Sequence, residues 1–177
     1  NNGDQHSYSE LGFAPDTCES GHHLRDNPGN IFCESGACNN ATCCEPATCA
    51  NNKGERAFSE GGFQLLDCPD PTHQLRVNRS ELRCDATGHC DDENCCEEVT
   101  CANNNGTSRL HISSGFDSGS CVPGYHLRAA LDSIRCFDGK CDSDTCCEKA
   151  TCANNAGSER SFNSSGFPQS SCPDSAY

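Results

Sequence analysis

The 177-residue chain has no methionine and no tryptophan, and valine, isoleucine, leucine and phenylalanine together make up only about 13 per cent of it. A highly charged chain with less than roughly 20 per cent of these residues buries too little apolar surface to offset the entropy lost on ordering. A conventional hydrophobic core is excluded. There is no run of about 18 apolar residues, no apolar export signal and no initiator methionine, so the chain reads as one that does not insert in a membrane and that is processed or cut from something longer. Basic residues are also scarce, 12 Lys and Arg against 26 Asp and Glu, for a formal charge of −14. That balance argues against binding nucleic acid or an anionic membrane face. Also missing are G-x-S-x-G, H-E-x-x-H and a phosphate loop, and a chain with no deep core cannot desolvate a nucleophile. No catalytic residue is expected, and the chain reads as a non-enzyme.

What is abundant is cysteine: 19 residues, about 11 per cent, above the roughly 8 to 10 per cent that marks a disulfide scaffold. Such a density persists as disulfide only in an oxidising compartment, which places the protein outside the cell or on its surface. The stretch "CNNATCCEPATCANN" at 38–52 returns as "CDDENCCEEVTCANN" at 90–104 and "CDSDTCCEKATCANN" at 141–155. Alignment on the double cysteine gives repeats at 1–50, 51–102 and 103–153, with a partial copy at 154–177. Each copy opens on Asn-Asn, reaches a Gly-Phe (12–13, 62–63, 115–116, 166–167), then a cysteine, then in the three full copies a Leu-Arg. An aromatic five residues before the Gly-Phe (Tyr8, Phe58, Phe162, with His111 in the third copy) suggests a small apolar cluster at each junction.

The expected fold class is a set of small disulfide-rich tandem repeats in a linear, rod-like array. Little regular structure is expected: short β-hairpins at Ser-Gly 35–36, Thr-Gly 87–88 and Asp-Gly 138–139, and single helical turns before each double cysteine, with Pro46 ending the first. All the cysteines (Cys18, Cys33, Cys38, Cys43, Cys44, Cys49; Cys68, Cys84, Cys90, Cys95, Cys96, Cys101; Cys121, Cys136, Cys141, Cys146, Cys147, Cys152; and Cys172) are expected in disulfides. Adjacent cysteines would close a strained ring with each other, so each points to a different partner. Six cysteines allow 15 connectivities, and the sequence does not choose among them. A set from Cys18 to Cys49 leaves Cys172 over. A set from Cys33 to Cys68 leaves Cys18 over, gives the C, C, CC, C, C order of cystine-knot miniproteins, and staples each junction. The spacings include no Cys-x-x-Cys or Cys-x-Cys, so no thiolate metal centre is expected.

Arg25, Arg76 and Arg128 recur at one place and Glu45, Glu97 and Glu148 at another, which reads as a structural ion pair in each copy. His23 and His126 align with Gln74, which excludes a role needing imidazole in each unit. Asp91, Asp92, Glu93, Asp142 and Asp144 could give weak Ca²⁺ contacts, but the first copy has Asn39 and Asn40 there, so no resident cofactor is expected. Four N-x-S/T sequons, at Asn40, Asn78, Asn105 and Asn163, are candidate sites for N-linked glycans.

The recurring CCE-x-x-TC, carried by Cys43-Cys44-Glu45 with Thr48-Cys49 and their equivalents at 95–101 and 146–152, resembles the cysteine-rich tandem repeats of large secreted proteins of microalgae and other protists. The resemblance covers nearly the whole chain and implies an extracellular, glycosylated, multi-repeat architecture with no catalytic residues to carry over. The expected function is structural: self-association into a linear polymer, as a subunit or segment of a surface filament such as a flagellar hair or matrix thread. The alternative is a secreted glycan- or protein-binding module presenting variable loops such as 69–74 and 129–133.

Overall fold

A computed structural model describes residues 12–34, 36–54, 58–157 and 162–166. The chain divides into two compact units, residues 1–69 with 75–97, and residues 70–74 with 98–177. Regular structure is sparse and short. Three four-residue helical turns, α1 (Asn40–Cys43), α2 (Asp92–Cys95) and α3 (Ser143–Cys146), precede the double cysteines. Each is capped by the residue before it: Asn39, Asp91 and Asp142 accept the backbone N–H of Thr42, Asn94 and Thr145 at 2.8 to 3.0 Å. All three turns end at the first cysteine of the pair, with or without a proline beyond, because the second cysteine is extended (φ −112°, ψ 155° at Cys44) and begins a strand. Helix end therefore meets strand start inside the dipeptide, and the two sulfurs leave in different directions.

Those strands are β2 (Cys44–Pro46), β4 (Cys96–Glu98) and β6 (Cys147–Lys149). Their partners are β1 (His22–Leu24), β3 (His73–Leu75) and β5 (Tyr125–Leu127), giving three two-stranded sheets. The pairing is antiparallel, with His23 opposite Glu45 and Leu24 opposite Cys44 in the first, and His126 opposite Glu148 and Leu127 opposite Cys147 in the last. The ladder runs on by one bond, Arg25 N–H to the Cys43 carbonyl and Arg128 N–H to that of Cys146, each at 3.0 Å. The number of sheets per copy is as expected, but their place is not. The Gly-containing segments form disulfide-closed loops instead of hairpins, including a 3₁₀ turn at Phe137–Gly139, while each sheet joins segments some twenty residues apart.

The interior is built largely of cystine. In the first unit one cluster gathers Ala47, Cys49, Phe63, Cys68, Cys84, Cys90, Cys95 and Cys96, with Leu75 and Leu82 against it. In the second, Val99, Phe116 and six cysteines play the same part. The single buried phenylalanine in each comes from the Gly-Phe, and its glycine is required. Gly115 has φ +63°, and a Cβ there would sit 2.6 Å from the Cys101 carbonyl oxygen; Gly62 (φ +56°) would run into Cys49 and Ala50 likewise.

Candidate functional site: the junction between copies

Among the described residues eight disulfides join sixteen cysteines. The closed set of six is neither grouping that the sequence suggested. It runs from Cys49 to Cys96, with Cys49–Cys95, Cys68–Cys96 and Cys84–Cys90, and again from Cys101 to Cys147, with Cys101–Cys146, Cys121–Cys147 and Cys136–Cys141. The order is C, C, C, C, CC, so the knot-like order does not hold. The Thr-Cys that ends one copy belongs to the next, bonded to the first cysteine of that copy's pair. In the first copy Cys18–Cys44 and Cys33–Cys38 form in the same way. Cys18 is therefore no odd residue. The expectation of disulfides throughout fails at Cys43, which is buried, and at Cys152, which is exposed; both are free thiols. Cys172 lies outside the described residues.

Each stapled junction carries a second set of bonds. The segment Ala47–Cys49 lies against the strand edge Leu82–Cys84: Cys49 N–H donates to the Leu82 carbonyl at 3.1 Å and Cys84 N–H to that of Ala47 at 3.0 Å. Val99–Cys101 repeats this on Ile134–Cys136 at 3.0 and 2.8 Å. The first asparagine of each Asn-Asn folds the turn that delivers the segment. Asn51, Asn103 and Asn154 accept the N–H of Thr48, Thr100 and Thr151 at 2.7 to 2.8 Å and donate to the Pro46, Glu98 and Lys149 carbonyls. At the two closed junctions the second asparagine is a fully buried lock. Asn52 Oδ1 accepts from Gly54 N–H and Cys90 N–H while its amide donates to the Gly88 carbonyl; Asn104 accepts from Gly106 and Cys141 N–H and donates to Thr107 and Leu110.

At the centre of each first strand sits one fully buried residue, His23, Gln74 or His126. His23 stacks on Phe58 with ring centroids 6.4 Å apart, and His126 lies 6.4 Å from Phe162, so the aromatic before the Gly-Phe does cover the preceding copy. Where the hub is Gln74, His111 stands in the aromatic's place in the sequence, and the glutamine amide donates to the Asn103 carbonyl at 3.2 Å. Burial pushes the His23 imidazole below its ordinary value, outweighing the Glu45 carboxylate 3.8 Å away.

The expected Arg–Glu pair is replaced in the first and third copies. Glu45 and Glu148 lie opposite His23 and His126 across the sheet, at 3.8 Å, because register sets the glutamate against the histidine and not the arginine. The arginines bind backbone: Arg76 Nε donates to the Cys96 carbonyl at 2.9 Å and Arg128 Nε to that of Cys147 at 3.0 Å. Arg25 reaches the Ala41 carbonyl at 3.5 Å. Of the acidic candidates, Asp91 and Asp142 serve as caps, and Asp142 is held below the usual carboxylate range by the Thr145 hydroxyl and N–H. Of the sequons, Asn78 and Asn105 are exposed, and Asn40 and Asn163 are half-buried.

Comparison with protein families, with curated proteins and with solved structures finds no match in any of the three.

Proposed function

We propose that the chain is an extracellular structural repeat protein, a subunit or segment of a disulfide-stapled, glycosylated surface filament such as a flagellar hair or matrix thread. The observation that carries this reading is the cross-copy disulfide, Cys49–Cys95 and again Cys101–Cys146. A repeat completed by a cysteine of its neighbour transmits tension through covalent bonds at each junction, and units that each contact the next stack in one dimension. In the chain-entropy approximation the closed loops of 46, 28 and 6 residues contribute about 4, 3.5 and 2 kcal/mol, an upper figure because the third lies within the second. That is the scale of stabilisation that a cystine interior needs in place of an apolar one. Exposed Asn78 and Asn105 offer sites for sugar on the outside of such a fibre. Electron microscopy of native material is expected to show filaments that a thiol reductant disperses. Monodisperse globular particles would overturn the proposal.

One observation favours the alternative of a binding module: Phe32, Leu66 and Phe137 are 82, 92 and 76 per cent exposed. On that reading, glycan and protein arrays give a hit that Phe137→Ser removes.

A further inference from the structure

The two thiols that are free among the described residues are not equivalent. Cys43 occupies the place that Cys95 and Cys146 hold in the later copies, the first of a double cysteine; Cys152 occupies the place of Cys49 and Cys101, the Thr-Cys that ends a copy. Cys43 and Cys152 thus carry the two complementary halves of the bond that is closed at Cys49–Cys95 and Cys101–Cys146. The backbone around each thiol repeats the complementarity. At a closed junction Leu82 C=O and Cys84 N–H hold Cys49 N–H and Ala47 C=O. At the first copy the equivalent groups are Ile31 C=O and Cys33 N–H, and at the other end Cys152 N–H and Ala150 C=O; among the described residues none of the four makes a backbone hydrogen bond.

Exposure agrees independently. Cys84 and Cys90 are buried at 9 and 3 per cent, whereas their equivalents Cys33 and Cys38 are only half-buried. Thr48 and Cys49 are 7 and 0 per cent exposed and Thr100 and Cys101 are 8 and 0 per cent, whereas Thr151 and Cys152 lie open to solvent. The Cys43 sulfur itself is positioned as its bonded counterpart is. It lies within 4.8 Å of the Cys33 and Cys38 sulfurs, and a sulfur cluster of the same limit joins Cys95 to Cys49 and Cys90.

We propose that Cys43 with the Ile31–Cys33 edge, and Cys152 with the Ala150–Cys152 segment, are the two open halves of one head-to-tail joint, and that the occupant of each is a unit of this same repeat. The inference rests on the filament reading and names its linkage: one disulfide and two backbone hydrogen bonds per joint. A second copy of the chain carries both complements. Gly166 lies against the Cys152 carbonyl as Gly62 does against that of Cys49, so the backbone at Cys152 already has the form of a closed junction.

The joining step balances with a small-molecule disulfide as oxidant. The exposed Cys152 thiolate attacks oxidised glutathione, forming a mixed disulfide and releasing one glutathione thiolate. Cys43 of the next copy then loses its proton to solvent and attacks the Cys152 sulfur, and the second glutathione leaves. Two cysteine thiols are oxidised and one disulfide is reduced. Cys152 is exposed and Cys43 buried, so the small-molecule disulfide reaches Cys152 first.

The test is oxidation of the full chain in a glutathione buffer, followed by non-reducing electrophoresis and mass-spectrometric mapping of linked peptides. The expected result is a ladder in which each rung adds a Cys43–Cys152 link. Cys43→Ser and Cys152→Ser, which touch no existing disulfide and so leave the fold intact, are each expected to stay monomeric alone; an equal mixture of the two is expected to form dimers and stop there. A ladder that survives in both variants, links joining like to like, or a chain that stays monomeric with both thiols open to alkylation would overturn the inference. Failure here with filaments still present in native material would sink only this linkage; globular native particles would sink the filament reading even if the ladder forms.

Discussion

The junction in the first unit and the junction in the second are the same object made with different fillings. Both have the cross-copy disulfide, the two-bond strand bridge, the Thr-Cys-Ala-Asn-Asn turn and the buried asparagine lock, with bonds that agree within about 0.2 Å. They differ at the hub. One has His23 stacked on Phe58 with neither ring nitrogen hydrogen-bonded; the other has Gln74 bonded to backbone. The lesson is a division of labour: backbone bonds and sulfur hold the joint, while the hub fills space, with its polar atoms bonded at Gln74 and left unbonded at His23, so its chemistry is free to change.

Four sets of substitutions would break or sharpen that comparison. Replacing both Cys101 and Cys146 by alanine is expected to destabilise the second unit by about 4 kcal/mol in the chain-entropy approximation, seen as an early transition in thermal unfolding, with the first unit unaffected. Should the second unit melt unchanged, the junction would not be held by sulfur. Asn104→Ala removes the acceptor of the half-buried Gly106 N–H and strands the buried N–H of Cys141, and is expected to cost roughly 2 kcal/mol, and Asn52→Ala a similar amount in the first unit. Unequal losses at the two would show that the lock is not common to both. Asp142→Ala removes a helical cap for about 1 kcal/mol, whereas Asp142→Asn, the residue type found at Asn39, should be close to neutral; hydrogen exchange at Thr145 reads either change directly.

The smallest effect is the most telling about the hub. His23→Gln imports the second junction's solution and should change stability by less than about 0.5 kcal/mol at pH 8. The sign with pH follows from the lowered histidine: below its ordinary value of 6.5 the unfolded chain takes up a proton that the buried ring resists. The stability of the first unit is therefore full above about 6.5 and falls as pH drops toward the lowered native value. Thermal unfolding from pH 8 to 5 should show a steeper decline in the wild type than in His23→Gln, and parallel curves would mean the ring is charged in place.

What could be read from the residues was set by composition. Nineteen cysteines with so few large aliphatics force cross-links to replace a core, and a double cysteine forces divergent partners; both conclusions hold in the structure. The pairing could not be read, because it depends on a contact between copies, 46 residues apart, that no local pattern reports. The Arg–Glu pairing failed for a related reason: recurrence told that Arg25 and Glu45 are fixed, but only the strand register tells which residue faces which. The asparagine lock is visible in the sequence only as a repeated Asn-Asn, a pattern that suits a turn, which describes Asn51 and not Asn52. The buried hub has no fixed residue to mark it, because its identity changes between copies, whereas the recurring aromatic does mark Phe58 and Phe162 at the joint.

A bond from Cys49 to Cys95 also has a direction in time. On a chain emerging at about 5 to 20 residues per second, Cys49 is made some 2 to 9 seconds before its partner, 46 residues on. By then the Thr-Cys of the following copy is only six residues from appearing. The growing polypeptide thus has at least one unmatched sulfur near its front through most of synthesis, and each copy becomes a finished object only when its successor has been made.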